Sequence, residues 1–410
     1  MRASEQDDRT EVTCCIVGGG PAGMVLGLLL ARAGVDVTVL EKHGDFLRDF
    51  RGDTIHPSTL RLLDDLGMAE AFLRLPHQEV GRLGVTTDDG TFVLADFATL
   101  PGRFPFLTFM PQWDFLDFLA DQAAGLPRFG LRMDAEAVGL IREGGAVRGV
   151  RYRTADGEHE IRAQLTVAAD GRHSRLRADA GLRPREFGAP MDVLWFRLPR
   201  LPDGSGPSFG GAGRLTSGRL LVLIDRGEYW QSAYLVPKGG FHAVRERGLP
   251  AFRAELARLL PGMGAAVEEL TGWDDVRVLD VRVDRLTRWH LPGLLLIGDA
   301  AHAMSPIGGV GINLAVQDAV AAARLLAPPL LDGRLTSHHL GRVRRRRLLP
   351  TVVTQLVQRQ IQRRFLTRVL SGDRPVGTPR LLRVLQAHPA LQALPARLIG
   401  IGIRPERIPR

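Results

Sequence analysis

The thirty residues from Thr13 to Lys42, TCCIVGGGPAGMVLGLLLARAGVDVTVLEK, leave very few local folds open. An apolar run containing Cys14, Ile16 and Val17 stops at Gly18-Gly19-Gly20. Met24 to Arg32 then carries Leu and Ala without a breaker until Gly34, and Val35 to Leu40 is β-branched and apolar, as a buried parallel strand should be. The pattern predicts strand, glycine turn, helix, strand. Within Gly18-x-Gly20-x-x-Gly23, the first glycine turns the chain and the second lets a pyrophosphate approach the backbone. The third lets helix and strand pack closely. The helix N-terminus faces the phosphates, and Glu41 lies where an acidic side chain hydrogen-bonds ribose hydroxyls. With 47 glycines in 410 residues, about half a match to the glycine pattern is expected by chance, so the pattern alone decides little. The context decides more: the match sits between a strand and a helix with the acid in place. At this point FAD and NAD fit equally well, since both carry a diphosphate and a ribose diol.

A chain of 410 residues can bury a large core, and 45% hydrophobic with 24% charged residues fits a globular protein. No uncharged apolar run approaches the roughly 18 residues of a membrane span, and the polar start, with Glu5, Asp7, Asp8 and Glu11, does not resemble a signal peptide. A cytoplasmic location is therefore expected. Cys14 and Cys15, the only cysteines, are adjacent in a strand and read as small core residues, neither disulfide nor metal pair. The charge of +9 would suit nucleic acid, but all but Lys42 and Lys238 of the 54 basic residues are arginine, alongside abundant Ala, Gly and Pro. That is the signature of a GC-rich coding sequence, so no nucleic-acid partner is expected.

Further along, Pro57-Ser58-Thr59 opens a helix with leucines at 60, 62, 63 and 66, and Arg51 sits just ahead of it. Gly81 to Leu94 alternates around the hairpin signal Asp89-Gly90, and Pro111-Gln112-Trp113-Asp114 starts another helix. Strands are expected at 135–141, 147–153 and 161–169, the last leading into Asp170-Gly171. From about Arg185 the chain becomes short alternating strands, 192–198, 219–224 and 229–236, with a helix at 249–260. The expected organisation is α/β. A discontinuous dinucleotide-binding domain (1–75, 108–184 and 276–335) interleaves with a mostly antiparallel sheet domain (76–107 and 185–275), followed by a helical extension (336–410).

Two later motifs choose between the dinucleotides. Val167-Ala168-Ala169-Asp170-Gly171-Arg172-His173-Ser174-Arg175-Leu176-Arg177 is an apolar strand ending in Asp-Gly, with Ser and Arg at helical spacing behind it. Leu295-Leu296-Ile297-Gly298-Asp299-Ala300-Ala301-His302 is a strand ending in Gly-Asp; a Pro/Gly loop, Pro306 to Gly311, leads into a helix expected from about Asn313 to Leu326. With the first glycine motif, these resemble the three fingerprints of the class A flavoprotein monooxygenases, the para-hydroxybenzoate hydroxylase family, over roughly the first 330 residues. The resemblance implies that Gly18, Gly20 and Gly23 hold the FAD diphosphate and that Glu41 binds the adenosine ribose. It implies that Arg51 and Gln112 touch the cofactor and that Asp170 serves both FAD and the pyridine nucleotide. Asp299 would bond ribityl or ribose hydroxyls, Pro306 would lie beside the isoalloxazine, and the Gly311 and Ile312 amides would face the flavin N1 and O2 edge. A helix N-terminus there suits the negative charge of reduced flavin.

In that family NADH or NADPH visits transiently and reduces FAD. Oxygen then adds at flavin C4a, and the hydroperoxide hydroxylates an electron-rich ring. The expectation is an FAD-dependent hydroxylase acting on an aromatic or polyketide-like molecule, with no catalytic base assigned. Trp195, Phe196, Phe209, Tyr229 and Trp230 are available to line the pocket or to fill the sheet core. An epoxidase or halogenase on the same fold, or a non-catalytic binding relative, would use the same cofactor motifs. His302 is expected to be structural, and His56 and His173 receive no role. In the tail, Arg342 to Arg347 precede a helix whose apolar stripe, Val353, Val357, Ile361 and Phe365, is expected to dock on the body or on a second subunit; a basic helix resting on a membrane is the alternative. Monomer and homodimer stay equally open.

Overall fold

Residues 10–47, 54–202, 211–216, 218–371 and 380–408 are described in a computed structural model. The first strand, Glu11–Val17, lies inside an eight-stranded sheet between parallel neighbours Val37–Leu40 and Gly157–Ala168. Gly157–Ala168 pairs in parallel with Leu294–Leu296 on its other side. The strand Phe129–Arg132, which extends this sheet past Val37–Leu40, is not signalled by its sequence, because FGLR lacks both alternation and β-branching. Parallel pairing brings three strand ends level: Val17 lies beside Ala168, and Ala168 beside Leu296. The turns at Gly18, Asp170 and Gly298 therefore leave the sheet along one carboxyl edge, where open α/β sheets bind their ligands.

Cys14 and Cys15 are fully buried, and neither is in a disulfide. They point to opposite sides of the sheet, Cys14 into the core formed with the helices Pro21–Arg32 and Val310–Leu331, Cys15 into the one around Leu140, Val150 and Trp289. Burial pushes the Cys14 thiol well above its ordinary range, the behaviour of a core residue.

A second, seven-stranded sheet runs in the order Arg277–Leu279, Met191–Pro199, Tyr229–Pro237, Arg219–Asp225, Gly211–Thr216, Arg82–Thr87, Gly90–Asp96. The Asp89-Gly90 hairpin closes its edge, with Gly90 at φ 130°. Along Met191–Pro199 the faces alternate: Leu194, Phe196 and Leu198 pack toward the helix Leu249–Leu259, while Val193 and Trp195 face the other way.

The long helix after the third motif runs Val310–Leu331, starting a turn earlier than its sequence suggests. Its length and composition would suit a membrane span, but it is mostly buried, packed between Pro21–Arg32 and the tail helix Ser337–Ile361. The tail helix docks on the body through Phe365, the last residue of the expected stripe, but not through the rest of it. Val353 and Val357 are only half-buried and Ile361 is 39% exposed. The side turned to the body is instead polar: Arg347, Thr351, Gln355 and Gln358, continued by Gln362 in a π-helical turn, Gln362–Leu366.

Candidate functional site

The glycine turn has the shape of a diphosphate cradle. Gly18 sits at φ 105°, and a Cβ there would lie 2.4 Å from the Ala169 carbonyl oxygen. A Cβ on Gly23 would lie 1.9 Å from the Gly18 oxygen, so only glycine lets the helix start this close to the strand. At Gly20, by contrast, a Cβ would meet nothing within 4 Å. The second glycine thus opens onto free space at the start of the helix Pro21–Arg32, whose first amides have no intrahelical partner. Glu41 is buried behind the turn; its Oε2 accepts the Gly19 N–H at 2.8 Å and its Oε1 accepts the His43 N–H at 3.2 Å.

The second and third loops are tied to each other and to the first. In Asp170, Oδ2 accepts the Leu176 N–H at 3.2 Å, while Oδ1 is buried with no hydrogen-bond partner. Burial pushes this carboxyl above its ordinary range. An orphaned carboxylate oxygen beside the Gly18 turn fits a ligand hydroxyl. Arg177 links the loops by donating to the Ala300 oxygen at 3.1 Å and to the Arg172 oxygen at 2.6 Å. Arg172 also reaches Asp299, 3.5 Å away. Asp170 and Asp299 therefore belong to one constellation.

Beyond Asp299 the chain passes through Pro306 and two left-handed glycines, Gly308 at φ 77° and Gly309 at φ 62°, into the first turn of Val310–Leu331. Gly311 and Ile312 lie in that turn, half-buried, with nothing within 4 Å of a Cβ on Gly311. The tail holds this loop through side-chain amides. Gln358 donates to the Ser305 and Ile307 oxygens, both at 2.9 Å, and accepts the Ser305 N–H at 3.2 Å. Gln362 donates to Ser305 Oγ at 2.9 Å, and Gln355 donates to the oxygens of Asp284 at 2.7 Å and Ala303 at 3.1 Å. His56 completes the support: it is fully buried, its Nε2 is 3.3 Å from the Gly308 oxygen, and burial lowers its pKa to about 4.

These residues fit FAD better than NAD, because three separate loops and a fourth helix start extend the ligand surface well past one diphosphate. The family described as FAD binding domain matches residues 10–359. The chain belongs to the class A FAD-dependent aromatic hydroxylases. It is 34% identical over 374 residues to the 6-methylpretetramide 4-monooxygenase of Streptomyces rimosus, covering 90% of this chain and 88% of that protein. Among solved structures, P. aeruginosa PqsL in complex with 2-aminobenzoylacetate superimposes with a TM-score of 0.74 at 21% identity, covering 92% of this chain and 100% of that one. The myxobacterial chondrochloren halogenase CndH gives 0.73 at 20% identity, with 93% and 90% covered. At these identities the two structures speak for the fold alone.

In this flavin hydroxylase the tail does more than the sequence suggests. Asp318, fully buried in the helix Val310–Leu331, accepts from Gly298 N at 3.1 Å and from Arg347 Nε at 2.9 Å, and its Oδ2 lies 2.6 Å from His302 Nε2. Burial alone would raise its carboxyl; His302 and Arg347 outweigh that and hold it below the ordinary range. Arg347 is 1% exposed and lies 3.6 Å from Glu406, which also pairs with Arg346 at 2.5 Å and Arg324 at 3.4 Å. An arginine of the basic run Arg342 to Arg347 thus anchors the Gly-Asp loop from inside. The structural role expected for His302 follows from the same contacts.

Of the remaining candidates, Gln112 occupies the first position of the helix Gln112–Ala124, half-buried, while Arg51 lies outside the described residues. Phe196 and Trp230 fill the helix-backed core of the second sheet, and Tyr229 is covered by Arg197, 4.9 Å from its ring centre. Phe209 also lies outside the described residues. Trp195 differs from these. It packs with Ile307 against the cluster of Met191, Val193, Ala233 and Leu235, and its indole Nε1 is buried without a hydrogen-bond partner.

Proposed function

We propose that the chain is an NAD(P)H-consuming hydroxylase of a polycyclic or monocyclic phenolic ring, of the polyketide type. The balance is one ring C–H, O2, NAD(P)H and a proton giving ring C–OH, water and NAD(P)+. Bound FAD would supply the redox chemistry, accepting the reductant's hydride and activating oxygen for transfer of one atom. The chain's own residues bind and orient. Gly18, Gly20 and Gly23 admit the diphosphate, Glu41 and Asp170 accept ribose or ribityl hydroxyls, and Asp299 extends that row. Gly311 and Ile312 present amides at a positive helix end, where developing negative charge is stabilised. The apolar cluster joining Trp195 to Ile307 excludes water from the face on which the ring must lie. Trp195 Nε1 donates to a ring oxygen of the substrate.

The observation that carries the reading is the meeting of the turns at Gly18, Asp170 and Asp299 on one sheet edge, next to an apolar face that carries the unpartnered Trp195 Nε1. Anaerobic reduction of the FAD-loaded protein by NADPH or NADH should bleach the flavin faster with phenolic polyketide aromatics present. In air under 18O2, product one labelled oxygen heavier should form. Flavin that neither nucleotide reduces with any such phenol would overturn the proposal.

A further inference from the structure

The tail helix and the linker between the two sheets enclose a basic cleft around Phe187. Around Phe187 stand three guanidinium groups: Arg359 at 4.7 Å, Arg285 at 5.0 Å and Arg185 at 5.6 Å from the ring centre. A cleft of about 260 Å3 beside them is lined by Phe187, Gly188, Ala189, Pro190, Arg359, Gln362 and Arg363. Among the described residues, Arg185, Arg285, Arg359 and Arg363 have no carboxylate within 4 Å, although most other clustered arginines do. Arg285 spends one donor on Gln355, at 2.6 Å. Arg359 Nε is buried with no hydrogen-bond partner. Arg285 is held below the usual guanidinium range by burial first and then by the like charges of Arg185, Arg359 and Arg344. Uncompensated like charges this close are unfavourable unless an anion joins them.

We propose that this cleft binds a diphosphate group. Guanidinium forks match phosphate oxygens two at a time, and cation–π contact with Phe187 holds the forks in place before the ligand arrives, which lowers the ordering cost of binding. Arg359 and Arg363 are one helical turn apart, about 6 Å along the axis, a spacing that lets one arginine serve each phosphate of a diphosphate. The cleft is also wired to the flavin loop: Gln362, in its wall, bonds Ser305 Oγ, and Gln355, the acceptor of Arg285, bonds the Ala303 oxygen. A diphosphate here would arrive either as the bridge of the pyridine nucleotide, which rests on the function proposed above, or as a free polyphosphate.

The test is titration calorimetry on FAD-loaded protein, so that the glycine cradle is already filled. Inorganic pyrophosphate should bind one to one. Arg359→Gln should weaken it by about tenfold or more, the loss expected for one charge-assisted pair, and Arg185→Gln by less. Among the described residues neither side chain makes a hydrogen bond or ion pair, and each rests only on the Phe187 ring, so both variants should keep the wild-type flavin content and nearly the wild-type melting temperature. Competition by NADP+ or NAD+ would identify the nucleotide as the carrier; binding without competition would support a free polyphosphate and reject the nucleotide. No heat with millimolar pyrophosphate, or equal affinity in Arg359→Gln, would overturn the site, whether or not the protein hydroxylates a phenol.

Discussion

Two glycines three residues apart should fail in opposite ways when changed to alanine. Gly20 sits at φ −74° and ψ −178°, a conformation alanine adopts freely, and its Cβ would meet nothing within 4 Å. Gly20→Ala should therefore leave the apo fold intact or raise its stability by about 0.4–1 kcal/mol, through the lost freedom of the unfolded chain. The new methyl occupies the space through which the diphosphate approaches. Overpacking of that kind costs about 1–3 kcal/mol, which is roughly 5- to 150-fold in FAD affinity. At Gly23 the Cβ would lie 1.9 Å from the Gly18 oxygen, a backbone atom with nowhere to go. Gly23→Ala must push the helix off the strand, so its apo protein should lose about 3 kcal/mol or more. Chemical denaturation of the apo proteins measures the first quantity and quenching of flavin fluorescence the second. A Gly20→Ala protein that binds FAD like wild type, or a Gly23→Ala protein as stable as wild type, would refute the assignment of diphosphate space to Gly20 and helix packing to Gly23.

Gln358→Leu removes three hydrogen bonds from the 305–307 loop and leaves buried partners unsatisfied, so stability should drop by about 2 kcal/mol or more and FAD affinity should fall with it. Unchanged flavin affinity in the leucine variant would show that the tail does not position the loop. Arg347→Met strands Asp318 and Glu406 without their buried partner and should cost about 3–5 kcal/mol in urea unfolding. For His56, the folded pKa of about 4 lies below the usual 6.5, so between those values the unfolded chain binds more protons and stability falls as pH drops. The difference between wild type and His56→Gln should shrink by about 3 kcal/mol from pH 7 to pH 4, and a flat difference would mean that the imidazole is not held neutral. Trp195→Phe should raise KM for the phenolic substrate several-fold at unchanged flavin content, through loss of the unpartnered indole N–H on the apolar face.

The parts of this protein that follow from short-range rules were legible in the chain. The glycine turn, the Asp-Gly and Gly-Asp strand ends and the Asp89-Gly90 hairpin are each specified within a few residues, by φ angles only glycine tolerates or by apolar runs with one stop. Their parallel register, which brings Gly18, Asp170 and Asp299 together, follows from the βαβ pattern and the family resemblance built on it. The strand Phe129–Arg132 was not legible, because its pairing with Val37–Leu40 and not its own composition makes it a strand.

What the sequence determined by itself is thus the cofactor cradle and the class of fold around it. Only the tertiary structure decided what the arginines and glutamines of the tail do. Arg347 and Arg345 look alike in a basic run, yet one is buried against Asp318 and the other is exposed. A stripe of Gln355, Gln358 and Gln362 reads as solvated helix surface until the unpaired backbone groups of Ala303, Ser305 and Ile307 are brought against it. The physical reason is the same in each case. A polar side chain's place is set by the partners that compensate its desolvation, and those partners lie 29 to 57 residues away in the chain, beyond the reach of any local pattern.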